Sequence, residues 1–313
     1  MSSIEIQTSG LLTTVQDLGR EGWGPIGVSR SGAADPISLR LGNRLVANPD
    51  SAAALEVTLL GGAFLFPEGA IVALTGSDFD ARVDHVSIGL GMSFEIHSGQ
   101  KLHLGPTRSG ARCYVCVHGG IAVPPFLGSA STHLLSGLGG FQGRPLRNGD
   151  VLRIGPVTRP FRKRTIAPHL SNYLYGRKVV RVTLGPQLKQ FAQSSRRSFF
   201  SETYWVREQS DRMGLRLEGA PISHRMPRPM ITEGASLGAI QVLPAGSPII
   251  LFVEQQTTGG YPKIANVISA DLHRLGQLRP RDEIQFEQVS FGLAQSLLVE
   301  QENLLASRES ILE

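Results

Sequence analysis

Residues 256–263 read QTTGGYPK, a turn of hydroxyls, paired glycines, an aromatic, a proline and a lysine that follows the apolar run 248–253. Paired glycines expose backbone N–H groups and admit left-handed dihedrals, so this turn can wrap an anionic or carbonyl oxygen that bulkier residues would exclude. Gln255 and Thr257 can meet an amide or urea-like group from its donor and acceptor sides. Thr258, Gly259, Gly260 and Tyr261 complete a substrate-facing loop, and Lys263 can place positive charge at a developing oxyanion. The same letters also serve a tight connection that needs glycine for its dihedrals alone.

Other positions carry chemistry less specifically. In the second half, Asp211 and Arg212 are adjacent in SDRMG, where they can divide labour between a cation site and an anion site or form a surface turn with an ion pair; Glu233-Gly234 and Gln241 follow. In the first half, Ser31 and Gly32 precede a helix start, which can bind an anion through free N–H groups with Arg30 as counter-charge, unless Asp35 caps that helix itself. Glu56 lies in an apolar run, as a buried, shifted acid or as an edge residue facing solvent. His118 precedes Gly119-Gly120, a second glycine pair that can face substrate, and Ser129, Ser131 and Thr132 follow in a hydroxyl-rich loop. Cys113 and Cys116 are three apart in a β-rich run, so they face opposite sides of a sheet. A disulfide or shared metal is geometrically poor there, and no metal site is expected.

Composition narrows the classes. The 313 residues suggest about two lobes, and 36 glycines with 19 prolines imply many turns. Charged residues at 18% favour compact, sheet-rich packing. The net charge of +5 is dispersed except at Arg159, Arg162, Lys163 and Arg164, and the few aromatics do not interleave with it, which argues against nucleic acid. The start MSSIEIQTSG lacks a signal-peptide pattern and no apolar run approaches a membrane span, so a cytoplasmic location is expected. No Gly-Lys dipeptide or HExxH occurs, which excludes an ordinary P-loop enzyme.

Short apolar runs bounded by turn residues must position these groups: 54–60, 70–75, 93–96, 112–117, 151–154, 179–184, 249–253 and 283–286 read as strands of barrels or sandwiches. Helices are few: one over 36–47 with Asp35 as N-cap and Ile37, Leu41 and Leu45 as its buried stripe, and a weaker one over 270–275. An internal echo ties the halves. Each has a strand entering a Gly-Gly turn followed by proline, then a Leu-Arg-x-x-Asp turn, at 146–150 and at 278–282, feeding an alternating strand. Two copies in one order predict duplicated β-barrel lobes. The division expected is a first lobe over 1–158, a basic linker over 159–176, a second lobe over 177–300 and a C-terminal tail over 301–313.

Taken together, GLLTTVQDLGR, GVSRSGAADP, LEVTLLGG, GGIAVPPFLGSAST, GLGGFQGRPLRNGD, SDRMGLRLEG and QTTGGYPKIANVISADLHRLGQLRP resemble the biotin-dependent carboxyltransferase-like family, which includes the C-type subunit of 5-oxoprolinase, allophanate hydrolase subunit 2 and KipA. The resemblance implies a mainly β chain of two cyclophilin-like β-barrel lobes with a few short helices. It implies a hydrolase subunit, inactive alone, that opens 5-oxoproline to L-glutamate with ATP. The expected partners are a sister B-type subunit, KipI-like, and a hydrolytic A-type subunit. Lys263, Asp211 and Arg212 would be its catalytic groups. ATP, with Mg as an optional companion, is the cofactor expected of the complex. Urea amidolyase relatives imply an alternative, carboxyl transfer from carboxybiotin to urea, with biotin on a separate carrier because no Met-Lys occurs here. A non-enzymatic partner of a kinase inhibitor is the third alternative. Two departures stand out: His118 where a small residue is expected before Gly-Gly, and Ala122 where Asp is frequent.

Overall fold

The computed structural model describes residues 2–157, 159–175, 179–225 and 230–313. The chain divides into two compact units, one formed by 1–20, 31–168 and 308–313, the other by 21–30 and 169–307. The expected linker boundaries Thr158 and Gly176, and Arg177 at the expected start of the second lobe, lie outside the described residues.

The first unit packs two sheets over one core. A seven-stranded sheet runs Ile121–Ala122, Val151–Ile154, Ser3–Thr8, Ala63–Phe66, Gln100–His103, Arg82–Val83, Val86–Ser87, and a five-stranded sheet runs Leu12–Gln16, Ala54–Thr58, Arg112–Val117, Ala70–Gly76, Ser93–Ile96. Alternating residues of both sheets, among them Ile4, Ile6, Val57, Phe64, Val72 and Val115, are fully buried in a shared cluster. Cys113 belongs to that cluster while Cys116 packs on the other face with Leu39 and Leu45 of the helix Pro36–Leu45, so period-two alternation separates the thiols as expected. The helix buries Ile37, Leu41 and Leu45, and Asp35 caps it by accepting from Ser38 N at 3.0 Å.

The second unit closes a seven-stranded barrel in the order Val179–Leu184, Lys263–Val267, Ala239–Val242, Pro248–Leu251, Gly214–Glu218, Tyr204–Val206, Glu283–Gln288. Its strands pair antiparallel except where Val179–Leu184 meets Glu283–Gln288 in parallel, the contact that closes the ring. The mainly β expectation holds.

Three features differ from the reading by sequence. The stretch expected as a linker holds the strand Thr165–Ile166, paired with Ile311–Leu312, and the helix Pro168–Tyr175. Its basic cluster is not merely solvated: Arg162 and Arg164 pair with Glu313 at 3.1 and 3.0 Å, and Arg164 donates to Arg44 O at 3.0 Å. The expected tail begins inside the helix Phe291–Ala306, a 16-residue element that the few-short-helices reading passed over. Ser290 caps that helix by accepting from Leu293 N at 3.2 Å, but only Gln301 and Leu305 are buried along it, so its apolar residues show no single stripe.

Candidate functional site

The loop at 252–263 is pinned to the barrel at both ends. At its start, Phe252 N donates to Met213 O at 2.9 Å and Glu254 N to Arg212 O at 2.8 Å. At its far side, Thr258–Gly259 pairs with Glu233–Gly234, and Ala235 N donates to Thr257 O at 2.9 Å. Lys263 then opens the strand Lys263–Val267 in register with Gln241. Gln255, Thr257, Thr258, Gly259 and Lys263 are thus brought onto one short ribbon, and Gly260 and exposed Tyr261 form the bend between.

Lys263 is buried, and its ammonium binds the Glu233 carboxylate and donates to Gly234 O at 3.1 Å. Gln187 closes the cluster: its Nε2 donates to Glu233 Oε1 at 2.8 Å and its Oε1 accepts from Lys263 N at 3.2 Å. The hydrogen bond from Lys263, with that from Gln187, holds the Glu233 carboxyl below its usual range. Lys263 therefore enters the site as half of an ion pair.

Among the described residues, two buried amide atoms beside this pair have no hydrogen-bond partner. Gln241 is 3% exposed and its Nε2 is unsatisfied. Gln255 donates from Nε2 to Ala235 O at 3.1 Å, which leaves its Oε1 buried and unsatisfied. The Gln255 orientation is fixed, because exchanging its O and N would face two acceptors together. Leaving such an atom unpaired costs about 1–3 kcal/mol, so one donor and one acceptor are held ready at a standing penalty. Gly259 is what admits the Gln241 amide: a Cβ there would lie 2.5 Å from Gln241 Nε2 and 3.1 Å from Gln256 Nε2.

The two glycine pairs do different work. Gly119 and Gly120 have φ of 97° and 70°, whereas Gly259 and Gly260 are absent from the left-handed region. Gly119 N donates to Asn48 Oδ1 at 2.8 Å and Gly120 N to Val117 O at 2.8 Å, so both N–H groups are committed within the first unit. Ser31 donates its hydroxyl to Thr132 O at 2.8 Å, a Cβ on Gly32 would meet Gly19 N at 2.8 Å, and Asp35 fills the helix N-terminus expected to take an anion. Ser31 and Gly32 lie before the helix Pro36–Leu45 and Gly119 packs beyond its other end, roughly 15 Å away by helical rise, so these four residues form no common site.

Asp211 and Arg212 also part company. Asp211 is an exposed turn residue that accepts from Met213 N at 2.8 Å and Gly214 N at 3.1 Å, while Arg212 is buried against Glu254. Sequence reasoning missed Glu254 and Gln187. Glu254 carried a signal, an acid ending an apolar strand; Gln187 carried none. In the first unit, buried Glu56 accepts from Tyr114 Oη at 2.7 Å and Ala34 N at 2.8 Å, and the Asp17 carboxylate takes the Ser129 and Ser131 hydroxyls at 2.6 and 2.5 Å. These hydroxyls are acceptors' partners in a packed network, not nucleophiles beside a base. Among the described residues, no group of three or more His, Cys, Asp or Glu is placed to hold a metal, and no helix is long and apolar enough to cross a membrane.

The family model described as carboxyltransferase domain, subdomain A and B, matches residues 26–288. The chain is 39% identical over 287 residues to the C-type subunit of 5-oxoprolinase from Escherichia coli (strain K12), covering 92% of this chain and 91% of that protein. It is 34% identical over 331 residues to urea amidolyase of Saccharomyces cerevisiae, covering 98% of this chain but 18% of that protein. Among solved structures, K. lactis urea amidolyase superposes with a TM-score of 0.91 at 31% identity, over 99% of this chain and 21% of that one.

Proposed function

Because the chain belongs to the carboxyltransferase domain, subdomain A and B, family, we propose that it is the C-type component of a 5-oxoprolinase complex, a hydrolase assembly that opens 5-oxoproline to L-glutamate with ATP. Its partners in that reading are a sister B-type subunit and a hydrolytic A-type subunit, in the cytoplasm. The observation that carries the reading is the unsatisfied pair Gln241 Nε2 and Gln255 Oε1 beside Lys263 and Glu233. A lactam presents one carbonyl acceptor and one N–H donor, the complement of that pair.

In this site Gln241 donates to the lactam oxygen and Gln255 accepts the lactam N–H, which fixes the plane of the amide. The Lys263 ammonium, held in place by Glu233 and Gly234 O, gives a preoriented positive pole for charge that builds on the oxygen. Thr257 and Thr258 border the bend, and Arg212, neutralised by Glu254, anchors the start of the loop. Arg212 and Lys263 are each matched by a carboxylate of this chain, so these two cations do not compose a triphosphate cradle. No ATP or Mg step is assigned to them.

The test is co-purification with the sister and hydrolytic subunits followed by an assay of ATP-dependent glutamate release from 5-oxoproline. Glutamate release that requires this chain supports the reading; a complete, folded trio with no such release overturns it. A second reading has its own support, since urea amidolyase relatives align over nearly the whole chain and urea also offers a carbonyl with N–H groups. Carboxyl transfer to urea from a separate carboxybiotin carrier, with no turnover of 5-oxoproline, is the result that favours it.

A further inference from the structure

His118, the departure noted before Gly119-Gly120, stands against a cavity in the first unit. It follows the strand Arg112–Val117, is 8% exposed, and shares a 2.5 Å hydrogen bond between Nδ1 and Val46 O. A carbonyl only accepts, so the proton resides on Nδ1 and the neutral ring keeps a lone pair at Nε2. Among the described residues Nε2 has no hydrogen-bond partner. The ring lines a cavity of about 920 Å³ whose walls come entirely from this unit.

The rest of the lining states what fits. Ile71, Ile96 and Val157 are apolar walls. Arg153, on the strand Val151–Ile154, brings a guanidinium that makes no ion pair or side-chain hydrogen bond among the described residues. The carboxylates that line the same cavity are partly engaged: Glu68 accepts from Ser3 N at 3.0 Å and from its hydroxyl at 3.3 Å, and Glu95 faces His97 at 3.6 Å.

We propose that this cavity binds a small carboxylic acid that carries an N–H donor, of the amino-acid or lactam-acid class. Arg153 takes the carboxylate in a charge-assisted contact, and His118 Nε2 accepts the N–H. No residue of the Lys263 ribbon takes part, so the site stands or falls independently of the function proposed for the second unit.

The chain labelled with ¹⁵N at histidine is titrated with L-glutamate, 5-oxoproline and propionate, with imidazole resonances read by NMR and affinities by calorimetry. The expected result is a saturable shift of the His118 Nε2 resonance with glutamate or 5-oxoproline, whichever of the two the cavity selects. Propionate, which lacks the N–H, binds about tenfold or more weakly. Arg153→Ala, at an exposed side chain, weakens binding about tenfold or more, and His118→Phe does the same with the melting temperature kept as the folding control. No saturable shift at about 10 mM probe, equal affinity for propionate, or undiminished binding by Arg153→Ala overturns the proposal.

Discussion

Lys263 is held by Glu233 from one strand of the ribbon and by Gly234 O from the next residue, so a single carboxylate governs how the lysine is presented. Because Glu233 has its folded pKa lowered, it contributes stability at pH above the usual carboxylate value of about 4.3, and that contribution is lost as pH falls through the folded value. Glu233 is 42% exposed, so solvent screens the effect. Melting temperatures of the wild type and Glu233→Gln should differ most near neutral pH and converge in acid; a gap that widens on acidification refutes the assignment.

Gln241→Leu removes a buried donor that has no partner among the described residues. Stability should be unchanged or rise by about 1 kcal/mol, while glutamate release by the reconstituted complex falls about tenfold or more. Urea denaturation and the coupled assay on one preparation separate the two effects. A variant that is both less stable and fully active means that Gln241 is a packing residue.

Tyr114 binds the first helix to its sheet through one hydroxyl, which donates to Glu56 Oε2 at 2.7 Å and accepts from Asp35 N at 2.7 Å. Burial, with Glu56 and Asp35 nearby, pushes the phenol well above its ordinary value, so it stays protonated. Tyr114→Phe leaves two buried groups without this partner and should destabilise the protein by about 2–4 kcal/mol. Chemical denaturation checks it, and a loss under about 0.5 kcal/mol, on the order of a surface substitution, is the contrary result.

The two thiols should be inert in the native protein. Burial pushes Cys113 up to about 12 and raises Cys116 further, and each lies on its own face of the strand Arg112–Val117. A thiol reagent at about pH 8, near the ordinary thiol value, should label neither residue until denaturant is added. Rapid native labelling of either one contradicts this.

The halves of the chain can be compared at one turn. Asp150 accepts from Arg147 N at 2.7 Å and Asp282 from Arg279 N at 2.8 Å; Ile6 N then donates to Asp150 O and Val206 N to Asp282 O, at 2.8 and 3.0 Å. Asp150→Ala and Asp282→Ala should each cost about 1–2 kcal/mol, since each removes the same local cap. Unequal losses, one near zero, would show that only one copy of the turn matters.

This turn was legible because a short-range rule writes it: an aspartate bonding the amide three residues earlier needs only the letters LRxxD. The strands at 93–96, 112–117, 151–154 and 179–184 were legible for the same reason, through β-branched runs ended by turn residues. The glycine pairs were not equally readable. Gly119 and Gly259 share a local sequence but answer to different demands, one to a left-handed dihedral and the other to a neighbouring amide that only the fold supplies. The partners of Lys263 and Arg212 were hidden likewise, because Glu233 reaches Lys263 from the two-stranded ribbon and Glu254 reaches Arg212 from beyond the strand Pro248–Leu251, at sequence distances no motif spans.

The strand Thr165–Ile166 finds its partner, Ile311–Leu312, only after the whole second unit has been threaded. During synthesis the barrel can close while the first unit still waits for its last pair of strands. Loop-closure entropy makes that final pairing the slow, late contact. Truncation just after the helix Phe291–Ala306 should then leave a folded barrel and an unfinished first unit, so the order of assembly is set by where the chain leaves a unit and where it comes back.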